Sequence, residues 1–230
     1  MAVFLSGAVN SPSVGTGRFA DYDWATIIKV CQMSAVPDTW EIGSQKAISI
    51  GGVDYLVDII GKNHDTYADG TGKAPLTFQL HDCYGENDYI TGNSVNTGGW
   101  TNCNIRVNRV PVYLAAMPSE VQGGIRAVNK LTSAGGKSAT ITTTADKLFL
   151  LSEVEIFGAL SFSYAGEGNQ YEYYSKGNTK IKRVVNTDTA WWSRSPNKNN
   201  TETFCAAHET GVVTNASTNS IIGISFAFCF

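Results

Sequence analysis

The last ten residues of the chain, 221–230, constrain its fold most strongly. Large apolar side chains alternate there with small ones such as Gly223 and Ser225. Because successive side chains of a β-strand face opposite sides, this alternation predicts a strand with one bulky face and one thin face. No charged residue interrupts the run, which favours a central strand covered on both faces. We expect the bulky face to consist of Ile222, Ile224, Phe226, Phe228 and Phe230.

A polar stretch, residues 197–220, separates this strand from a second apolar segment, residues 191–196, with the sequence WWSRSP. Half of the polar stretch is Asn, Thr or Ser, which predicts loops that offer both hydrogen-bond donors and acceptors. Polar loops fixed between rigid strands commonly carry binding residues, although an ordinary solvated loop has the same composition. The candidate ligand-binding residues, with the tryptophans as support from below, are Trp191, Trp192, Asn197, Lys198, Asn199, Asn200, Glu202, His208, Glu209, Asn215 and Asn219.

The composition excludes several classes of protein. The chain has 230 residues, of which 43% are apolar and 16% charged, so it has enough apolar residues for a sizeable core and is not a disordered chain. A net charge of −3 provides no basic field for nucleic acid, and no apolar run has the length of a membrane span. The first residues lack the basic start and long apolar core of a signal peptide, so we expect folding in a cytoplasm.

The five cysteines are Cys31, Cys83, Cys103, Cys205 and Cys229. Their number is odd and their spacing contains no C-x-x-C pair, which signals neither a zinc site nor a complete disulfide framework. We interpret them as buried free thiols in a reducing compartment, with a Cys205–Cys229 bridge as the alternative. No metal and no cofactor is expected.

The rest of the chain mixes short helices with short strands. Residues 1–20 are small and polar, which predicts an arm or linker, and residues 21–230 are expected to form a single domain. Helical spacing occurs at residues 20–33 and, interrupted by Pro111, at residues 100–117. Because helices and strands do not alternate regularly, the predicted class is α+β. Strand patterns occur at residues 47–50, 53–60, 76–80, 125–131, 138–144 and 147–151.

The sequence contains no motif of a serine hydrolase, a zinc protease or a nucleotide-binding loop. We interpret the adjacent His64 and Asp65 as a local hydrogen-bonded turn. Ser152 and Glu155 have the spacing of a helix capping box. Arg194 is expected to make either a cation–π contact with an aromatic ring or a buried pair with a carboxylate, and both roles are structural.

Several segments together resemble a domain of unknown function that is widespread in gut bacteria and their phages. The WWSRSP segment is similar to the WWLRSP signature of that family, with Ser193 in place of the usual Leu. The resemblance covers about residues 20–230, and it implies no reaction because the family has no established one. Further matching segments are residues 24–27, 55–65, 99–106, 148–155, 167–171 and 223–226.

The C-terminal end also resembles the C-type-lectin-like fold, in which the first and last strands pair and long loops lie on one face. Retroelement-diversified variable proteins of phages use this fold and carry their variable segment just before a last core strand, where residues 197–220 lie here. The resemblance implies one C-type-lectin-like domain of mixed short antiparallel strands and a few helices, with a C-terminal core strand. It also implies a place on the phage virion after synthesis in the bacterial cytoplasm.

These patterns together favour a non-enzymatic receptor-binding protein that contacts a host-surface glycan or protein through its C-terminal loops. The N-terminal arm would contact other virion proteins, and a homo-oligomer is compatible with the sequence. Neither nucleic acid nor membrane insertion is expected. The alternatives are a purely structural virion or cell-surface protein and a glycan-acting enzyme.

Overall fold

The computed structural model describes residues 17–85 and 87–230. Most of the predicted N-terminal arm, residues 1–16, lies outside the described residues. The described chain begins with a short 3-10 helix, Phe19–Asp21, and Phe19 is buried in the main hydrophobic core. The folded body therefore includes Phe19, two residues before the predicted domain boundary.

The helices are short, and side-chain caps explain where two of them begin. Asp23 caps the first helix by accepting the N–H of Thr26 at 2.7 Å. The predicted capping box is confirmed, since Ser152 and Glu155 each accept the backbone N–H of the other. The helices are α1 (Trp24–Gln32), α2 (Gly99–Asn102), a π-helical segment (Ile105–Arg109), α3 (Val110–Ala115), α4 (Ser119–Gly124), α5 (Glu153–Phe157) and α6 (Glu172–Ser175).

The strands form one larger antiparallel sheet and three smaller units. The strands are β1 (Gln45–Ile50), β2 (Val53–Lys62), β3 (Leu76–Leu80), β4 (Val128–Gly135), β5 (Ser138–Asp146), β6 (Leu148–Phe149), β7 (Lys182–Val184), β8 (Thr187–Thr189), β9 (Trp191–Pro196), β10 (Thr203–Ala207), β11 (Val213–Ser217) and β12 (Ala227–Cys229). The larger sheet has the order β1-β2-β3-β12-β6 and the second has the order β11-β10-β9. The pairs β4-β5 and β7-β8 are separate hairpins. The glycine pairs Gly51-Gly52 and Gly135-Gly136 predict a hairpin between residues 47–50 and 53–60 and another between residues 125–131 and 138–144. Both predicted hairpins are confirmed.

The C-terminal segment lies in the core as predicted, but its regular strand is short. Strand β12 pairs with β3 on one side and β6 on the other, and Phe226 and Phe228 are fully buried. The residues before it leave the ladder because β3 ends at Leu80. The N–H groups of Leu80 and Tyr84 then bond instead to the carbonyls of Phe226 and Ile224.

The architecture confirms the α+β class. In contrast to the expected pairing of the first and last strands, β1 lies at the edge of the larger sheet, separated from β12 by β2 and β3. All five cysteines are buried and free, and Cys205 and Cys229 lie on strands of different sheets, so the alternative bridge does not form. Within the described part of the chain, none of the helices combines the length and apolar character needed to span a bilayer.

Candidate functional site

Strand β9 is buried along its whole length and forms the base of the predicted binding region. The indole Nε1 of Trp191 donates to the carbonyl of Lys180 at 2.9 Å, and that of Trp192 donates to the carbonyl of Asp88 at 2.8 Å. Both tryptophans are fully buried, so they are placed to support a surface and not to contact a ligand.

The guanidinium of Arg194, also in β9, lies in a buried polar network. Of the two roles predicted for it, the carboxylate pair is the one that forms: its Nη atoms bind both oxygens of Glu155, at 2.5 and 3.0 Å. The remaining donors are satisfied as well, so the ion pair fixes β9 to α5 and β4. They bind the hydroxyl of Thr132 and the carbonyls of Leu131, Leu150 and Glu167.

Lys130 of β4 joins a second carboxylate to this network. Its Nζ donates to Asp65 Oδ1 and to Glu155 Oε1, both at 2.8 Å, and to the hydroxyl of Tyr171 at 3.1 Å. The side chains of Lys130 and Asp65 are each only 3% exposed. Asp65 therefore pairs across the fold, and the predicted local turn is wrong for its side chain.

Burial alone would raise the pKa of both carboxyl groups, but their cationic partners act in the opposite direction. Lys130 is the main partner that lowers the pKa of Asp65, to about 2, and Arg194 with Lys130 lowers the pKa of Glu155. Both carboxylates are therefore ionised at neutral pH, and in this state neither is a proton donor.

Glu167, behind β9, behaves differently. Its Oε1 accepts the N–H of Ser133 at 2.8 Å, and its Oε2 accepts the hydroxyl of Ser195. Burial raises the pKa of Glu167 to about 7, although both hydrogen bonds oppose this. This carboxyl group consequently titrates near neutral pH.

A cavity of about 150 Å³ opens beside the network. Its wall includes His64, whose ring stacks on that of Tyr171 with centroids 4.0 Å apart, and burial lowers the pKa of His64. Ligand pockets typically measure about 300–1,000 Å³. The cavity is therefore too small for such a ligand, and the carboxylates in its wall are already occupied by internal cations.

The loop between β9 and β10, residues 197–202, is fixed from below by a buried asparagine. The side-chain amide of Asn96 lies within hydrogen-bonding distance of the carbonyls of Asn197, Asn200 and Thr203, at 2.9–3.2 Å. Its Oδ1 accepts the N–H of Gly136 at 2.8 Å, which ties the loop to the β4–β5 hairpin. The loop backbone thus has one strongly specified conformation.

Asparagines within the loop add local bonds. The Oδ1 atoms of Asn197 and Asn200 accept the N–H groups two residues further on, both at 2.9 Å, which shapes two Asx turns. The N–H of Lys198 donates to the carbonyl of Phe162 at 2.8 Å. Asn197 is nearly buried, whereas Asn199, Asn200 and Glu202 are exposed and Lys198 is half-buried.

The structure separates the candidate residues into two ends of one sheet. Asn219 follows β11 at the end where residues 197–202 lie, because Thr203 is paired with Ser217. His208 and Glu209 lie in the turn at the other end of β10, roughly 15 Å away for a strand of this length. Asn215 lies between the two ends, on the edge strand β11.

Two parts of this region were not found from the sequence. The burial of Lys130 could have been predicted, because it alternates with Val128 and Thr132 on the inward face of a strand pattern. Nothing in the sequence indicates the role of Asn96, since it lies in a loop and the carbonyls that it binds are about a hundred residues away. Among the described residues, no group of three or more His, Cys, Asp or Glu side chains is arranged to hold a metal ion.

A larger cavity, of about 320 Å³, lies apart from this region, between the start of β2, the end of β3 and the β7–β8 hairpin. Its wall includes His81, whose Nδ1 lies 2.8 Å from Asp58 Oδ2, and this hydrogen bond raises the pKa of His81. Val185 at its rim is 84% exposed and has a φ of +47°. A β-branched residue rarely adopts this conformation.

The fold and these sites define an α+β domain with a buried ion network under a polar loop. The chain belongs to the family described as a domain of unknown function, DUF6273, whose model matches residues 77–230. No curated protein and no solved structure shows significant similarity to it.

Proposed function

We propose that this protein is a non-enzymatic binding domain whose ligand-facing surface is the loop of residues 197–202. The observation that carries the proposal is a fixed loop backbone combined with exposed polar side chains. Asn96 and the two Asx turns hold the backbone, while Asn199 and Glu202 project from it into solvent. A loop that is already ordered loses little conformational entropy on binding.

The side chains of this loop suit a polar ligand. Lys198, Asn199 and Glu202 together offer a cation, an amide and a carboxylate, which are typical partners of hydroxyl groups and of polar protein surfaces. We therefore propose a host-surface glycan or protein as the ligand, and a phage virion as the place from which the domain acts. The proposed origin depends on the resemblance of the signature segments.

A C-type-lectin-like relationship belongs to the same proposal. It is supported by the small irregular sheets, the C-terminal core strand and the mounting of polar loops on the separate β11-β10-β9 sheet. The edge position of β1 is a departure from that fold, because its terminal strands would pair. The relationship therefore depends on the loops and on the core strand.

The alternative of a glycan-acting enzyme finds less support. A glycoside hydrolase needs one carboxyl group that holds a proton at working pH. Asp65 and Glu155 share a cavity wall, but the pKa values of both are lowered by buried cations. Their surroundings thus oppose the role of a catalytic acid.

The proposal is tested with labelled protein on a glycan array and on intact cells of gut bacteria. One variant replaces Lys198, Asn199 and Glu202 by Ala together. The matched control replaces Lys73, Glu120 and Asn186 by Ala; these residues offer the same three side-chain types, are exposed and lie outside the candidate residues. Circular dichroism melting curves establish that both variants fold, since surface substitutions change stability by about 0.5 kcal/mol or less.

We expect the loop variant to lose binding at least tenfold while the control binds as the parent does. Loss of binding in the control alone would place the ligand outside the loop and contradict the proposal. Unchanged binding in the loop variant, or no binding by the parent protein to any glycan or cell tested, would overturn it.

A further inference from the structure

The side chains of Lys130 and Asp65 are placed as two reactants. Lys130 Nζ lies 2.8 Å from Asp65 Oδ1, and both side chains are 3% exposed. Groups held this close react as if at very high concentration, because their translational freedom is already lost. We propose that Lys130 and Asp65 condense to an internal amide, an isopeptide bond, that links the segment before β3 to β4.

The atoms of the ion pair suffice for the condensation. Lys130 first passes a proton to Asp65 Oδ1, which gives an amine and a carboxylic acid. The amine attacks Cγ of Asp65, so that a C–N bond forms and the carbonyl electrons move to Oδ2. The C–O bond to Oδ1 then breaks, and Oδ1 leaves as water. No oxidant, reductant or cofactor takes part.

Glu155 is placed to carry the second proton. Its Oε1 lies 2.8 Å from Lys130 Nζ, and it is an ionised carboxylate held by Arg194. It accepts a proton from the nitrogen of the tetrahedral intermediate and returns it to the departing Oδ1. Glu155 thus ends the reaction as it began, paired with Arg194.

Two hydroxyl groups are aimed at the oxygen that becomes negatively charged. Thr77 Oγ1 donates to Asp65 Oδ2 at 2.6 Å, and the hydroxyl of Tyr171 lies 2.9 Å from the same atom. Donors fixed before the reaction stabilise such an oxyanion without reorganisation. The oxygen that leaves, Oδ1, is the one nearest Lys130.

The surroundings favour the product. Condensation removes one positive and one negative charge from the protein interior, where isolated ions are costly, and leaves the Glu155–Arg194 pair balanced. The adjoining cavity of about 150 Å³ has room for the released water, which occupies about 30 Å³ in the liquid. This inference is independent of the proposed ligand-binding function.

The test is the intact mass of the purified, folded protein, measured after denaturation with reductant present. We expect a mass lower than that of the sequence by one water molecule. Trypsin should fail to cleave after Lys130, and fragmentation should show the peptide of Asp65 joined to that of Lys130. The control is a chain that has never folded, because it is kept in denaturant after synthesis. It should retain the full mass.

Variants refine the assignment. Lys130→Arg should keep the full mass, and Asp65→Asn should lose ammonia in place of water where it folds. The parent protein decides the question even if both variants fail to fold. A full mass in the aged, folded parent with normal cleavage after Lys130 would overturn the proposal, as would a water loss that maps to a single peptide.

Discussion

Replacing Arg194 by methionine tests whether the buried network holds the fold together. Methionine fills much of the same volume but removes the charge, so Glu155 loses the cation that binds both of its oxygens. Three backbone carbonyls lose their donor at the same time. Removing one partner of a buried ion pair typically destabilises a protein by about 3–5 kcal/mol, because the other charge is left uncompensated.

This loss is large relative to the stability of a domain, which is about 5–15 kcal/mol. Urea unfolding followed by circular dichroism measures it. The matched control is Arg183→Met, since Arg183 pairs with Asp188 at 2.8 Å on the surface, with both side chains about half exposed. We expect the control to lose less than about 1 kcal/mol.

A double variant isolates the charge effect. Replacing Glu155 by methionine in the Arg194→Met background removes the carboxylate that has lost its partner. The double variant should therefore lose less unfolding free energy than the sum of the losses in Arg194→Met and Glu155→Met alone. Equal destabilisation by Arg194→Met and Arg183→Met would refute the reasoning, because it would mean that burial adds nothing to the importance of the pair.

Four further outcomes are expected. Phe226→Ala should lower the free energy of unfolding by about 3–5 kcal/mol, because the ring is fully buried against Tyr113; an unchanged urea midpoint would contradict the core assignment. Glu167→Gln should remove a decline in melting temperature that the parent shows as pH rises from about 4.5 through 7, because the folded pKa of about 7 lies above the unfolded one; a parallel pH profile would count against this. Val185→Asn should stabilise by about 1 kcal/mol, since Asn tolerates the left-handed φ, and a lower melting temperature would speak against it. Added reductant should leave the melting temperature unchanged, as the five thiols are unpaired, whereas a sharp fall would reveal a disulfide.

The sequence predicted those parts of the fold that depend on local patterns. Alternation marked β2 and β3, the Gly51-Gly52 turn fixed the first hairpin, and the Ser152 capping box fixed the start of α5. The length of β12 was not predictable, because it depends on how β12 is aligned against β3 and β6, which are distant in sequence. Nor was the order of the larger sheet, which is set by pairings distant in sequence.

The candidate site was also predicted only where it depends on local sequence. The polar composition of residues 197–220 predicted exposed loops, and residues 198–200 and 202 are at least partly exposed. Composition contains no information on which end of a sheet each loop occupies, so His208 could not be separated from Asn199. The bonds of Asn96 and Lys130 join residues 25 to 107 positions apart in sequence, and a single sequence offers no sign of such pairs.

The unit that folds must extend beyond the span that the family model matches. That span begins at Thr77, inside β3, yet β3 is paired along its other edge with β2. The indole of Trp24 packs against the ring of Phe230 at 5.8 Å, and Asp65 supplies one of the two carboxyl groups that contact Lys130. Residues 77–230 alone would therefore expose an edge of the central sheet and leave a buried lysine with an incomplete set of partners.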